Sequence, residues 1–493
     1  MTTPTTTRGS RPGLIVAVLA FAGIASSITQ TMVTPLIAGF PGIFDTSASN
    51  TAWIVTATLL AAAVAVPISG RLGDLFGKRR MMLLLTLPLI VGGIVCALAP
   101  SVEIMIVGRA LQGIGSGMVP LAIALLRDAV PKERLSSAIA TVSATLGVGG
   151  AIGMPLSAAV VEFADWRILF WAGAGVTVLA ALAIWWFVPV LPAGASGQRF
   201  DGFGAVGLAV GLVALILAVS KGSEWGWASW PTLGLLGLAV VVFALWGVWE
   251  TRTKDPLVDL RTTARPRVLF TNIASIFVGF GMYASMLVMP QLLQLPSSTG
   301  YGLGQSILAA GLWMAPAGLM MLLLSPVGGR ITDSRGPKFT LVLGTVIHAA
   351  GYGVALIGMG STWGLLVTSL VINSGVAFAY GAMPAIIMGA VPRSETAAAN
   401  GFNTLMRSLG TTTGAAIIGV VLAQMSVPLG GGAVPSEAGF RTALLIGAGA
   451  TLLAALVAAF IPKANATSTS ATSDAPSAVA VASPELVGAG EPA

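Results

Sequence analysis

Runs of about 20 apolar residues, the length a helix needs to cross the hydrocarbon core of a bilayer, recur along almost the whole chain. They fall near 13–37, 51–70, 81–99, 103–125, 136–161, 168–189, 203–220, 231–249, 268–294, 305–326, 339–360, 363–389, 397–425 and 440–462. Backbone lodged in lipid must pair its own amides and carbonyls, so runs of this kind are expected as helices. With 55% hydrophobic and 9% charged residues in 493, the chain cannot cover a water-facing surface. The reading is an all-α membrane protein of 14 transmembrane helices. Its first run is too long for a signal-peptide core and is expected to be a retained span.

Charge sets the orientation. Of the 25 Lys and Arg, 20 fall in loops or tails assigned to one side, three (Arg167, Lys221 and Arg441) to the other, and Arg109 and Arg407 inside spans. The positive-inside bias then places both termini in the cytoplasm, which requires an even number of spans. It also accounts for the net charge of +7. No basic patch interleaved with exposed aromatics suggests nucleic acid as a partner.

The charged island Gly70-Arg71-Leu72-Gly73-Asp74-Leu75-Phe76-Gly77-Lys78-Arg79-Arg80 lies between two apolar runs, and its G-R-x-x-D-x-x-G frame returns 259 residues later as Gly329-Arg330-Ile331-Thr332-Asp333-Ser334-Arg335-Gly336. The chain is therefore expected to be two related halves. Each copy offers a cation just past a helix C-terminus, an acid able to accept from the free amides of the next helix, and a glycine free to take positive φ in a tight turn. At roughly 30 residues per span and loop, 259 residues hold about eight spans, so two helices are inserted between six-helix halves. The expected plan is a cytoplasmic N-terminal tail 1–12, an N-terminal half 13–189, an inserted pair with flanking loops 190–267, a C-terminal half 268–462 and a disordered cytoplasmic tail 463–493. The pair's outside loop would be Lys221-Gly222-Ser223-Glu224-Trp225-Gly226-Trp227.

The island resembles the loop signature between the second and third helices of major facilitator superfamily transporters, and the second copy sits where that superfamily's second half would place it. The fourth span carries Arg109-Ala110-Leu111-Gln112-Gly113-Ile114-Gly115. Arginine inside a span is a functional candidate by default, although carbonyls of neighbouring helices could also satisfy it. The stretch is similar to the superfamily's fourth-helix motif, which implies a part in proton coupling for Arg109, with Gln112 one turn along. The fifth span carries Gly149, Gly153 and Pro155: small residues for close helix approach, and a proline that bends the helix. It resembles the antiporter motif of superfamily exporters imperfectly, and ordinary small-residue packing explains it as well. Asp165-Trp166-Arg167 and Asn403-Thr404-Leu405-Met406-Arg407-Ser408-Leu409-Gly410 resemble segments of the 14-span drug:proton antiporters.

That resemblance implies proton-coupled efflux of drugs, antibiotics or related lipophilic molecules by alternating access, from a bacterial plasma membrane. The same fold could export a lipid or metabolite, and a non-transporting sensor or scaffold is a reading of another class. Coupling candidates are Arg109, Gln112, Arg407, Glu162 and His348, the last being either a packing residue or a group able to titrate near neutral pH. Thr29, Gln30, Thr34, Asn272, Gln291, Asn373, Tyr380 and Asn403 are expected along the substrate path. The first span has Thr29 and Gln30 where the drug:proton antiporters often have an acid, so the site is expected to favour neutral or anionic substrates.

No Walker sequence G-x-x-x-x-G-K-[ST] is present, and one His and one Cys cannot build a His/Cys metal centre or a credible catalytic triad. The chain is expected not to be an enzyme, to need no cofactor beyond the proton gradient, and to act as a monomer on protons and a small molecule within the bilayer.

Overall fold

A computed structural model describes residues 12–462 except 38, 196, 430 and 431. Apart from Pro12, the two expected tails lie outside the described residues.

Among the described residues, fourteen helices are long and apolar enough to cross a membrane: α1 (Pro12–Leu36), α2 (Ser49–Phe76), α3 (Lys78–Ala97), α4 (Val102–Ala129), α5 (Lys132–Phe163), α6 (Arg167–Phe187), α7 (Gly202–Trp225), α8 (Trp230–Arg252), α9 (Pro266–Gln294), α10 (Ile307–Arg335), α11 (Pro337–Gly358), α12 (Thr362–Met388), α13 (Arg393–Gln424) and α14 (Glu437–Ala459). Their starts follow local chemistry. Side-chain oxygens of Ser47, Asp201, Ser229, Ser306, Ser361 and Ser436 accept from the first free amides of α2, α7, α8, α10, α12 and α14. One segment departs from the all-helical expectation. A short antiparallel hairpin, Ser426–Leu429 with Gly432–Pro435, lies between α13 and α14.

Both charged islands are more helical than expected. α2 runs through Gly70, Arg71 and Asp74 to Phe76, leaving Gly77 as the whole turn, with φ of 98°. α10 likewise runs through Gly329, Arg330 and Asp333 to Arg335, and Gly336 turns at φ of 87°. The positive-φ glycines are where the frame places them. Arg71 and Arg330 are not past a helix end but in the last turns, because charge at a membrane-helix end leaves the backbone ladder intact. Lys221 also proves helical and buried, at 2% exposed, rather than part of a loop.

One apolar cluster gathers side chains of α1, α3, α4, α5 and α6, and the largest gathers those of α9 to α14. α7 and α8 have a cluster of their own in which Leu208, Leu212, Ile216 and Trp246 meet Ala63 of α2 and Leu405 of α13. The inserted pair therefore lies against the junction of α2 and α13.

Candidate functional site

Two long seams join the halves. α5 and α10 pack at three depths: a Cβ added at Gly329 would stand 2.6 Å from the Ser137 backbone, one at Gly318 would strike the Gly147 carbonyl, and one at Gly311 would lie 3.2 Å from Pro155. α2 and α13 behave differently. Near Asp74 they touch, Gly70 lying against the Ala397 carbonyl and Gly401 against that of Val66. At the opposite end Val55 and Leu59 of α2 stand across a cavity of about 470 Å³ from Thr412, Ala415, Gly419 and Val420 of α13. The α2–α13 seam is thus closed at the Asp74 end and separated at the other by a cavity that Ser220 and Ser223 of α7 also line, while the α5–α10 seam stays packed along its length.

The seal is built on one carboxylate. Asp74 is 0% exposed, and its two oxygens accept from the backbone amides of Ala397, at 3.1 and 2.9 Å, and Ala398, at 2.9 Å. It caps the N-terminus of α13, where unpaired amides and the helix dipole favour negative charge. The acid was expected to serve the next helix along the chain. It serves one in the other half instead, 323 residues away. Lys78 Nζ lies 3.8 Å from Asp74 Oδ1 and donates to Asp128 Oδ2 at 2.5 Å. Arg127, counted in the sequence only as a basic loop residue, donates to the Val391 carbonyl at 3.2 Å and Thr396 Oγ1 at 2.6 Å. The Ala195 amide donates to the Asp74 carbonyl, laying the α6–α7 connection along the seal. Arg71 is buried beside it, and Arg79 donates to the Trp185 carbonyl at the end of α6. The second copy does no such work: Arg330 and Asp333 are exposed and bond to no described residue.

Midway along the α5–α10 seam lies a cavity of about 130 Å³ lined by Thr31, Met154, Met282, Ser285, Met286, Met289, Met314, Ser369 and Asn373, among others. No Asp, Glu, Lys, Arg or His is among its described lining residues. Thioether side chains are unbranched and polarisable, so this wall can remould around differently shaped apolar molecules. Tyr380 Oη donates to Met282 Sδ at 2.7 Å, and Arg407 lies over the Tyr380 ring at 4.3 Å. Arg407, expected inside a span, is half-buried and held one ring away from the cavity wall.

The path candidates divide. Asn373 lines the methionine cavity. Thr29 does not: it is 1% exposed and bonds back to the Ala25 carbonyl within the N-terminal half. Asn403 Nδ2 donates to Asn272 Oδ1 at 2.9 Å and Ser275 Oγ at 2.6 Å, a link between α13 and α9 rather than a path wall. Gln30, Thr34 and Gln291 are partly exposed away from this cavity. Gly149 and Gly153 pack against Ser27 and Thr31 of α1, while Pro155 faces α10, so α5 is held between the two.

Arg109 is 2% exposed, and its Nη1 donates to the Thr29 carbonyl at 3.1 Å and Gln112 Oε1 at 2.7 Å. It sits inside the N-terminal half, and among the described residues no carboxylate pairs with it. His348 is 0% exposed and stacks on Tyr352 at 5.7 Å, with no hydrogen bond at either ring nitrogen. Glu162 is exposed at the end of α5 remote from Asp74. Neither His348 nor Glu162 lines the methionine cavity. Arg109→Ala is expected to cut uphill transport about tenfold or more, because hydrogen bonds to a charged group are worth about 1.5–3 kcal/mol each. Arg109→Lys should fall between, as it lacks the planar fork. Full gradient-driven transport by a stably inserted Arg109→Ala variant would leave the residue a packing role alone.

A model of the family described as Major Facilitator Superfamily matches residues 19–415 and 271–488. Multidrug transporter protein MdtP of Bacillus subtilis (strain 168) is 25% identical over 83% of this chain and 74% of its own length. The Multidrug resistance protein B homolog of Mycobacterium tuberculosis (strain CDC 1551 / Oshkosh) is 30% identical over 69% of this chain, which spans 63% of that relative. Among solved structures, the human organic anion transporter MFSD10 superposes with a TM-score of 0.64 at 17% identity, covering 91% of this chain and 99% of that one.

Proposed function

We propose that this chain, which belongs to the Major Facilitator Superfamily, is a proton-coupled exporter of small lipophilic molecules, working by alternating access from a bacterial plasma membrane with both termini cytoplasmic. The observation that carries the reading is the uncharged, methionine-lined cavity lying between the halves, whose α2–α13 seam is closed at the Asp74 end and separated by a cavity at the other. Relatives named for multidrug transport and resistance support it. With the basic loops inside, Asp74 marks the cytoplasmic gate. Breaking its cap on α13 while the outer ends of α2 and α13 close would turn the same cavity toward the cytoplasm.

The lining bears directly on substrate charge. A cation entering the cavity meets thioethers, three hydroxyls (Thr31, Ser285 and Ser369) and an amide but no counter-charge, so it forfeits hydration without adequate replacement. In a panel matched for lipophilicity, neutral or anionic compounds should be exported about tenfold better than quaternary ammonium dyes. Thr29 faces away from the cavity, so the carboxylate that tests this belongs at Asn373. Asn373→Asp should move the preference toward cations. Drug accumulation in a pump-deficient host expressing the protein or its Asn373→Asp variant measures both, and efficient export of quaternary cations by the unaltered protein would refute the charge argument.

A further inference from the structure

The inserted pair holds two carboxylates that the exporter reading does not use. Asp201, at the start of α7, is 8% exposed, and Glu250, in the last turn of α8, is 2% exposed. They face each other across Gly204, where an added Cβ would strike both Asp201 Oδ2 and Glu250 Oε1. Asp201 is well supplied with donors: the Gly204 amide donates to it at 2.8 Å and Trp249 Nε1 at 2.9 Å, at a helix N-terminus. Glu250 is not. Its Oε2 accepts the Val258 amide at 3.4 Å, with the Leu257 amide and the Trp246 indole close by, while its Oε1 is buried with no hydrogen-bond partner.

Among the described residues no cation forms an ion pair with either group. The charged groups on the flanking connections are Arg199, Lys254, Asp255, Asp259 and Arg261, with Arg252 closing α8; the Arg199 amide is turned to Asp255 and Arg261 Nη2 to the Thr251 carbonyl. α2 and α13 contribute apolar side chains, Ala63 and Leu405, to the cluster that holds Trp246, Leu257 and Val258. Two adjacent buried carboxylates without a cation cannot both be charged, and an orphan carboxylate oxygen facing a second carboxylate is where a shared proton belongs.

We infer that Asp201 and Glu250 form a proton-binding site of the inserted pair, with one proton held on Glu250 Oε1 toward Asp201 Oδ2. The site is coupled to the gate through the linker 253–263. Val258 donates to Glu250, and the same linker walls a pocket shared with Arg71, Glu395 and Asn272 beside the Asp74 seal. With the proton bound, the linker is held down. When it leaves, the second negative charge drives Glu250 from Asp201 toward water and the linker loosens. The inference goes beyond the exporter reading and borrows from it only the assignment of this end to the cytoplasm.

The test uses the full chain reconstituted in lipid, with the proton itself as the ligand. Infrared difference spectra across a pH titration should show a protonated-carboxyl band at neutral pH that is absent in Glu250→Gln and displaced in Asp201→Asn. A milder variant guards against misfolding. Trp249→Phe removes one donor to Asp201 and should let the band persist to about one to two pH units higher. Hydrogen–deuterium exchange of 253–263, scaled for intrinsic rate, should rise with pH in the unaltered protein and stay low throughout in Glu250→Gln. An infrared band unchanged in Glu250→Gln, no shift in Trp249→Phe, or linker exchange independent of pH would overturn the site. Loss of drug export with these signals intact would count against the exporter reading instead.

Discussion

Asp74→Asn is expected to insert normally and to lose most of its transport, with the cytoplasmic ends of α2 and α13 drawn apart. The carboxylate takes three amide contacts from Ala397 and Ala398 and lies near Lys78. Asparagine keeps one acceptor oxygen and no charge, so at least one charge-assisted bond, worth about 1.5–3 kcal/mol, is lost from the sealed state only. At about 1.4 kcal/mol per factor of ten, the sealed population should fall roughly tenfold to a hundredfold relative to the open one. Lys78 keeps Asp128, whereas Arg71, buried beside Asp74, loses that nearby counter-charge. Spin labels at the exposed Arg80 and at Lys338, near the start of α11, should report a longer separation in a larger fraction of molecules. Unchanged distances together with normal transport would reduce Asp74 to an ordinary helix cap.

The second large effect is expected at Gly329. The sequence frame offers it as part of a turn, yet it lies inside α10, its face against the Ser137 backbone. Gly329→Leu would wedge the α5–α10 seam at the end Asp74 also guards, and backbone atoms at 2.6 Å from a first added carbon cannot yield as a side-chain tip can. The expected outcome is a protein held open toward the cytoplasm, with transport reduced about tenfold or more, since forced overpacking costs about 1–3 kcal/mol. Gly336→Ala separates this from turn chemistry: nothing crowds a Cβ there, so its cost is backbone strain alone. Equal losses of transport in the two variants would argue that the seam is not the reason for Gly329.

Span number and the two-half pattern were legible because length and repetition survive in the sequence, and the chain needs both to cross a bilayer. What Asp74 touches was not legible, since its partner is a backbone N-terminus 323 residues away that leaves no residue-type signature. Thr29 was misassigned for a related reason. A helix apolar all round carries little information about which face looks inward, and the polar faces of α1 turned out to serve α4 and α5. The methionine wall did leave a signal that was passed over: Met282, Met286 and Met289 stand at i, i+4 and i+7 on one face of α9. Glu250 gave no signal in the sequence, where it stands at the end of an apolar run; its burial comes from α7 and the linker folding over it.

Inside-out vesicles carrying the protein test the central claim most directly, through uptake of a neutral lipophilic probe under an imposed proton gradient. Concentrative uptake that collapses on adding a protonophore, and that is largely lost in Asp74→Asn, is the predicted result. Uptake that merely equilibrates, or that survives loss of the proton gradient, would contradict proton-coupled export through this site.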